Sequence, residues 1–473
     1  MFSFRTELLP HQKTAVEKLG RLRVGALFME MGTGKTRTAL ELVARRLAAG
    51  KIEQVLWLAP CALQRTRTIE AEVERHCPEL ESAITVRGIE SLSGSDRLFV
   101  ELQALVAAAP TMLVVDESLL VKNHTAKRTL RVKALADACC YKLILNGTPT
   151  SKSAADLFAQ YDILDWRILG FRSYYSFAAR HVVIDPERPG IFETRHEQEL
   201  LDKAAPYTYQ VKKAECVKLP PKTYDTEYFS LGSLHMWHYR DALSSYLDAA
   251  DQISERGGDS SLGVYKMLMA ARLITSGLEI TTADDPFEPF VTRPYYERPR
   301  DNPRVKALLD VVARDSGPCI VWCCFRHEVD DVTTALSEVY GEGTCAQFFG
   351  EQNAKERATA IDDFRAGRAQ FLVANKQCGG FGLNLQHCSR MVFYSNDWDW
   401  GTRAQAEDRC HRIGQTEQVR VTDLVATLTF DSRILSSLWK KEDVCDSIRG
   451  GLHRLRDELR RVACQEDDDA KGV

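Results

Sequence analysis

The sequence predicts an α/β protein with two parallel-sheet blocks in tandem and helical insertions between them. Three observations predict it. Short apolar runs that end in polar or Gly-containing turns, each followed by helical periodicity, fill residues 26–145 and recur over 319–424. A parallel strand buried on both faces reads as such a run, and the helix after it is the crossover. Between the blocks the alternation stops and aromatic-bearing helical stretches take over, closed by a stretch with five prolines at 281–303.

Composition bounds the rest. A chain of 473 residues suggests roughly two to four domains. With 44% hydrophobic and 27% charged residues it can bury real cores, which excludes a wholly disordered protein. A formal net charge of −4 neither demands nor excludes a nucleic-acid partner, so any such surface has to come from local clusters of Lys and Arg. None of the 14 cysteines stands in CxxC spacing, and no Cys/His cluster reads as a zinc site. The thiols, Cys140 and those of 319–324 among them, are expected to be buried and reduced. The opening MFSFRTELLPHQK has no apolar signal core, and no run reaches the roughly 18 apolar residues that span a bilayer. A soluble, cytoplasmic chain with no membrane partner is the expectation.

The elements follow in order. In the first block, expected over 1–165, runs at 26–29, 54–59, 112–115 and 142–145 are strand candidates, and a helix is expected over 36–49. A helical region is expected over 166–280, with Tyr174, Tyr175, Trp237, Tyr239 and Tyr246 either packing as core or stacking on bases. A linker is expected over 281–303 and a second block over 304–450, with strand candidates at 319–323, 369–374, 390–394 and 419–424. A polar tail, 451–473, is expected to fray.

The first block carries a phosphate loop. Met31-Gly32-Thr33-Gly34-Lys35-Thr36 follows a strand run and opens a helix. Its glycines let backbone N–H groups approach phosphate oxygens. Lys35 is placed to reach the β- and γ-phosphates, and Thr36 to hold Mg²⁺ through its hydroxyl. The strict pattern has Gly where this chain has Met29. A carboxylate pair, Asp116-Glu117, ends the third run. Burying carboxylates there is costly unless they work. Asp116 suits the Mg²⁺ side and Glu117 the attacking water. A chance Gly-rich turn and a solvated strand end are the bland alternatives, and each weakens beside the other motif. ATP and Mg²⁺ are the expected ligands.

The second block offers Arg409 and Arg412 within 405–415, QAEDRCHRIGQ. On a helix, three-residue spacing puts both on one face. A cation reaching the transferring phosphoryl group from another domain accelerates its transfer; a solvated charged face is the alternative. Candidate phosphate contacts for a nucleic acid are Arg65, Arg67, Lys122, Lys127, Arg128, Lys355 and Arg357, each of which could equally be a solvated charge.

Taken in order, these segments resemble the motifs of superfamily 2 helicases, and within them the Swi/Snf family. GALFMEMGTGKT resembles the first motif, VVDESLLVKN the second with its trailing Lys122-Asn123, and LILNGTPTSKSAADLFAQYDIL the third. FFGEQNAKERATAIDDF resembles the stretch after the fourth. VANKQCGGFGLNLQ resembles the fifth, with Gly380, Gly382, Asn384 and Leu385, and QAEDRCHRIGQT the sixth. LPHQKTAVEKL looks like the adenine-reading motif, with Gln12 in the reading position, and Leu219-Pro220-Pro221-Lys222 matches a marker between the motor domains. The likeness spans about 8–440.

The resemblance implies two RecA-like folds, ATP held by Gln12, Gly32, Thr33, Gly34, Lys35, Thr36 and Gly382, and translocation along double-stranded or branched DNA by a monomer. Without an added reader or nuclease, it suits a compact phage- or bacterial-type motor. Three positions depart from the pattern: Leu119 stands where relatives have His or Gln, Arg67 where they have Trp, and Met29 where they have Asp. The expected function is a DNA-dependent ATPase that moves along or remodels DNA. The alternatives are a strand-separating helicase of replication or repair, an RNA-directed motor, and a non-catalytic ATP-gated clamp, which only Leu119 supports.

Overall fold

The computed structural model describes residues 2–147, 155–184, 192–216, 219–255, 261–281, 290–379 and 383–440. They fall into two compact units, Met1–Leu219 and Pro220–Val473.

The first unit holds β1 (Val24–Met29), β2 (Gln54–Ala59), β3 (Ile84–Gly88), β4 (Thr111–Val115) and β5 (Tyr141–Asn146). A small antiparallel pair follows, β6 (Val182–Ile184) with β7 (Phe192–Thr194), and then β8 (Thr208–Val211). The six-stranded sheet runs β3-β2-β4-β5-β1-β8, with every neighbouring pair parallel. Side chains of its central strands alternate between two buried faces, so the runs are apolar throughout. Leu56, Leu58, Leu113 and Val115 enter one core; Val55, Trp57, Met112 and Val114 enter the other. The helix Lys35–Ala48 lays Ala39, Leu40, Leu42 and Val43 against the second face. Its buried Arg46 donates to the carbonyls of Leu19 and Leu22 and lies over Tyr141, with no carboxylate partner among the described residues. Burial pushes that guanidinium down to about 10. The contact anchors the end of the helix Pro10–Leu19, which carries Gln12.

The second unit holds β9 (Lys222–Phe229), an antiparallel pair β10 (Leu278–Thr281) with β11 (Val291–Pro294), then β12 (Cys319–Cys323), β13 (Cys345–Phe348), β14 (Phe371–Asn375), β15 (Arg390–Phe393) and β16 (Val419–Ala426). Its sheet runs β13-β14-β12-β15-β16-β9, again parallel throughout. The helices Ser233–Glu255 and Ser261–Thr275 share one core with this sheet: Leu243, Leu268 and Ile274 pack in the same cluster as Val321, Cys323 and Val392. Arg304, fully buried, fastens them by donating to the carbonyls of Thr275 and Tyr394 and pairing with Asp431.

The region expected to be helical, 166–280, is therefore divided between the units and, besides β6, β7 and most of β10, gives one strand to each six-stranded sheet. β8 extends the first sheet and β9 the second. Both are edge strands. β9, KTYDTEYF, is largely exposed and carries no apolar run, so it lacks the pattern of a buried strand. The expected linker at 281–303 also carries structure, since Val291–Pro294 pairs with Leu278–Thr281. The polar tail lies outside the described residues. Cys319 and Cys323 are buried as expected, but Cys140 is exposed just before β5. Among the described residues no helix is long and apolar enough to cross a membrane.

Candidate functional site

The loop between β1 and the helix Lys35–Ala48 turns through two left-handed glycines, Gly32 (φ 77°) and Gly34 (φ 88°). At Gly34 a Cβ would stand 2.1 Å from Nε2 of Gln12, so any side chain there is strained by the left-handed φ and displaces the Gln12 amide. Pro10 occupies the first turn of its helix, where a missing N–H costs nothing. That start brings His11 and Gln12 onto the loop. Gln12 Nε2 donates to the Thr33 carbonyl at 3.1 Å, and His11 Nε2 meets the same oxygen at 2.8 Å, which fixes that nitrogen as the protonated one. Gln12 Oε1 accepts from the Leu9 N–H at 2.9 Å. In this structure Gln12 braces the loop; its amide keeps one N–H and one lone pair beyond these bonds. Thr33, buried, donates to the Glu30 carbonyl at 2.6 Å. Lys35 Nζ donates to the Met29 carbonyl at 2.9 Å and stands 3.6 Å from where a Gly147 Cβ would lie. Thr36, half-buried, follows in the first helical turn.

β4, β5 and β1 are consecutive in the sheet, so Asp116, Gly147 and the loop share one carboxyl edge, where ligands bind in open parallel sheets. Asp116 is only 6% exposed. Burial and the adjacent Glu117 charge push its carboxyl up to about 7, against the pull of Lys35. A buried oxygen ligand whose charge lacks full compensation suits a hard divalent cation, which would supply it. Glu117 has left-handed backbone (φ 50°, ψ 55°), and its N–H donates to Asp116 Oδ1 at 3.0 Å.

Two residues of this edge were not singled out from the sequence. Gln160, in the helix Asp156–Asp165, accepts from Ser118 Oγ at 2.6 Å. His11 is the other. What a Ser beside Asp-Glu bonds to is not legible locally, because its partner lies 42 residues away.

In the second unit the helix Trp400–Glu407 ends before both arginines, so Arg409 and Arg412 do not share a helical face as their spacing suggested. The backbone turns because its neighbours claim it. Leu385 N–H donates to the Arg409 carbonyl at 3.0 Å, Gln415 Nε2 donates to the Cys388 and Cys410 carbonyls, and Gly414 is left-handed. Arg409 is buried, with Nε on the Gln405 carbonyl at 3.0 Å; Arg412, half-buried, reaches the Leu383 carbonyl at 3.2 Å. The Arg412 guanidinium and the Arg409 backbone carbonyl thus both meet the segment of Leu383 and Leu385. Asn384 lies in the same segment and its carbonyl accepts from Arg365. Gly380 and Gly382 lie outside the described residues.

The candidate nucleic-acid contacts are scattered over both units. Arg65 is exposed at the end of the short helix Cys61–Arg65. Arg67, exposed and left-handed, lies 4.0 Å from both Glu70 and Glu81. Lys122 is 3.8 Å from Asp156, and Lys127 3.0 Å from Asp96. Arg128 is half-buried. Lys355 is exposed, while Arg357 donates to the Phe349 and Gly350 carbonyls. Of the aromatics, Tyr239 and Tyr246 are core and Tyr174 stacks on His124 at 3.8 Å. Tyr175 (83% exposed) and Trp237 (57%) face solvent.

Comparison with known proteins gives a consistent result. Residues 11–275 match the SNF2-related domain, and residues 303–414 match the helicase conserved C-terminal domain. The uncharacterized ATP-dependent helicase MG018 of Mycoplasma genitalium is 24% identical over 337 residues, covering 70% of this chain and 30% of that protein. The DNA repair and recombination protein RDH54 of Saccharomyces cerevisiae is 25% identical over 377 residues, covering 76% of this chain and 38% of that protein. The chain thus spans well under half the length of these relatives. Among solved structures, the Sulfolobus solfataricus SWI2/SNF2 ATPase core in complex with double-stranded DNA is 19% identical, with a TM-score of 0.41 over 98% of each chain.

Proposed function

This chain belongs to the SNF2-related family, and we propose that it is a DNA-dependent ATPase coupling hydrolysis to movement along, or remodelling of, duplex DNA. One observation carries this function: the phosphate loop, Gly147 and the buried Asp116 with its neighbour Glu117 meet at a single sheet edge. In it, Gln12 reads adenine with the bonding capacity left beyond its brace, and the loop Gly32–Thr36 with Lys35 holds the triphosphate. Thr36 and Asp116 would hold Mg²⁺, which neutralises phosphate charge when bound. Glu117 orients water. Arg409 and Arg412 act on the transferring phosphoryl group from the second unit, and Gly382 is a further nucleotide contact.

DNA as the nucleic acid is supported by the repair and recombination role in the name of RDH54. Arg65, Arg67, Lys122, Lys127, Arg128, Lys355 and Arg357 are the proposed phosphate contacts. Their affinity for DNA falls with salt, because each neutralised phosphate releases counterions. The setting is the cytoplasm of a bacterial or phage-infected cell, or a nucleus, and the working form a monomer.

The test is ATP turnover with single-stranded, duplex and branched DNA and with RNA, each across a salt range. Duplex DNA should stimulate most. A triplex-displacement assay beside a fork-unwinding assay separates translocation from strand separation; displacement without unwinding is expected. Losing a finger arginine should cost about 10³ to 10⁵ in rate. Lys35→Ala and Glu117→Gln should each abolish stimulated hydrolysis. Wild-type turnover in Glu117→Gln would refute the water role.

A further inference from the structure

The marker Leu219-Pro220-Pro221-Lys222 has no part in the function above, yet it bonds directly to the arginine segment. Lys222 opens β9, the edge strand paired in parallel with β16. Its Nζ donates to Glu407 Oε2 at 2.6 Å, and Tyr224 OH donates to the same oxygen at 2.8 Å. Arg403 Nε takes the other carboxylate oxygen at 2.8 Å. One turn further on, His411 Nε2 meets the Pro220 carbonyl at 2.9 Å.

The position of Glu407 gives these bonds their weight. It is the last residue of the helix Trp400–Glu407, two before Arg409, and its side chain is fully buried. Burial alone would raise its carboxyl, but the charges of Arg403 and Lys222 hold it below the usual carboxylate range. It is therefore an anion whose place is set by three donors, two of them from β9. His411, between the two arginines in sequence, is set by a third group of the same strand entrance. The arginine turn is thus fastened before and between its two cations by one short segment.

We propose that Lys222, with Tyr224 and the Pro220 carbonyl, is a positioning element for Arg409 and Arg412: it holds the turn after Glu407 in the conformation from which the arginines act. This rests on the role proposed above for those arginines. The described contacts of Lys222 are to Glu407 and Tyr224, so the part assigned to it is to position. Its loss leaves Glu407 under-neutralised and lets the helix end shift, and a displacement of about 1 Å at a catalytic group costs on the order of a hundredfold in rate.

The test uses the full chain with Lys222→Met, Lys222→Arg, Tyr224→Phe and Arg409→Ala. It compares kcat and KM for ATP with saturating duplex DNA, equilibrium binding of a fluorescent ATP analogue, and the thermal midpoint. Lys222→Met is expected to lower kcat by about a hundredfold with nucleotide affinity unchanged, and Lys222→Arg to restore most of it. Tyr224→Phe is expected to lower kcat less, at an unchanged midpoint, and it carries the test if Lys222→Met does not fold. Wild-type kcat in Lys222→Met or Tyr224→Phe, beside an inactive Arg409→Ala, overturns the positioning role alone. A kcat loss that only tracks the midpoint, with no rescue by Lys222→Arg, overturns it too. Wild-type turnover in Arg409→Ala removes the arginine role and this inference together.

Discussion

Ser118 donates to Oε1 of Gln160 at 2.6 Å, and neither side chain exposes any surface. The bond ties the turn after Asp116-Glu117 to the helix Asp156–Asp165. Gln160 in turn donates to the Asp156 carbonyl at 2.8 Å, and Asp156 faces Lys122. Leu119, where the family pattern has a polar side chain, is thus preceded by a residue that makes a polar link of its own.

Ser118→Ala deprives a dry carbonyl oxygen of this donor and should cost about 1–3 kcal/mol of stability. Ser118→Ala with Gln160→Leu removes both partners and should recover most of that loss. Urea unfolding measures both. If the link couples the site to DNA, the double variant regains stability but not the ratio of DNA-stimulated to basal hydrolysis. A wild-type ratio would reduce the pair to packing.

Gly34→Ala meets two obstacles at once, a left-handed φ of 88° and Gln12 Nε2 at 2.1 Å. The strain alone should cost about 1–3 kcal/mol. The Gln12 amide must swing off the loop and give up its bond to Thr33, so nucleotide affinity should fall more than in Gly50→Ala, where nothing lies within 4 Å. Titration of a fluorescent nucleotide compares the two.

Glu117 holds left-handed backbone at φ 50°, a conformation that costs a non-glycine residue roughly 1–3 kcal/mol. Glu117→Gly should therefore leave the first unit as stable as wild type or more so, while stimulated hydrolysis is lost. Glu117→Gln should lose activity without the gain. A clear drop in thermal midpoint for Glu117→Gly would show that the carboxylate itself holds the turn.

His235 is 1% exposed, between the Ile274 carbonyl on Nε2 (2.9 Å) and Tyr296 OH on Nδ1 (2.8 Å). The carbonyl requires Nε2–H, so Nδ1 accepts from the tyrosine. Burial pushes its pKa down to about 4, with the Ile274 bond opposing. The folded state therefore binds this proton less readily than the unfolded chain. The stability this contributes is whole above the ordinary histidine value of 6.5 and is lost as pH falls towards 4, by at most about 3 kcal/mol. His235→Gln should shrink the fall in unfolding free energy between pH 7 and pH 4.5. An equal fall in both proteins would contradict this.

How much was legible depends on burial. All eight interior strands of the two sheets, β1, β2, β4, β5, β12, β14, β15 and β16, are legible as strand candidates, because a strand covered on both faces keeps few polar positions; β16, with Arg420 and Asp423, keeps the most. The four edge strands, β3, β8, β13 and β9, do not stand out. They are short or half-exposed, and residues such as Arg87, Gln210, Gln347 and Asp225 keep them from forming a continuous apolar run. The boundary between units was misplaced for the same reason, since β8 and β9 flank it.

Local order alone determined the chemistry of the phosphate loop and of Asp116-Glu117. A glycine-rich turn between strand and helix, and a carboxylate pair at a strand end, are complete within a few consecutive residues. The arginine turn and the pairs Ser118–Gln160 and Lys222–Glu407 were decided only by tertiary structure. They join groups from 24 to 185 residues apart, and a hydrogen bond between groups that distant leaves no periodicity in the chain; it exists only once the sheet of its own unit has formed and excluded the water that would otherwise satisfy them.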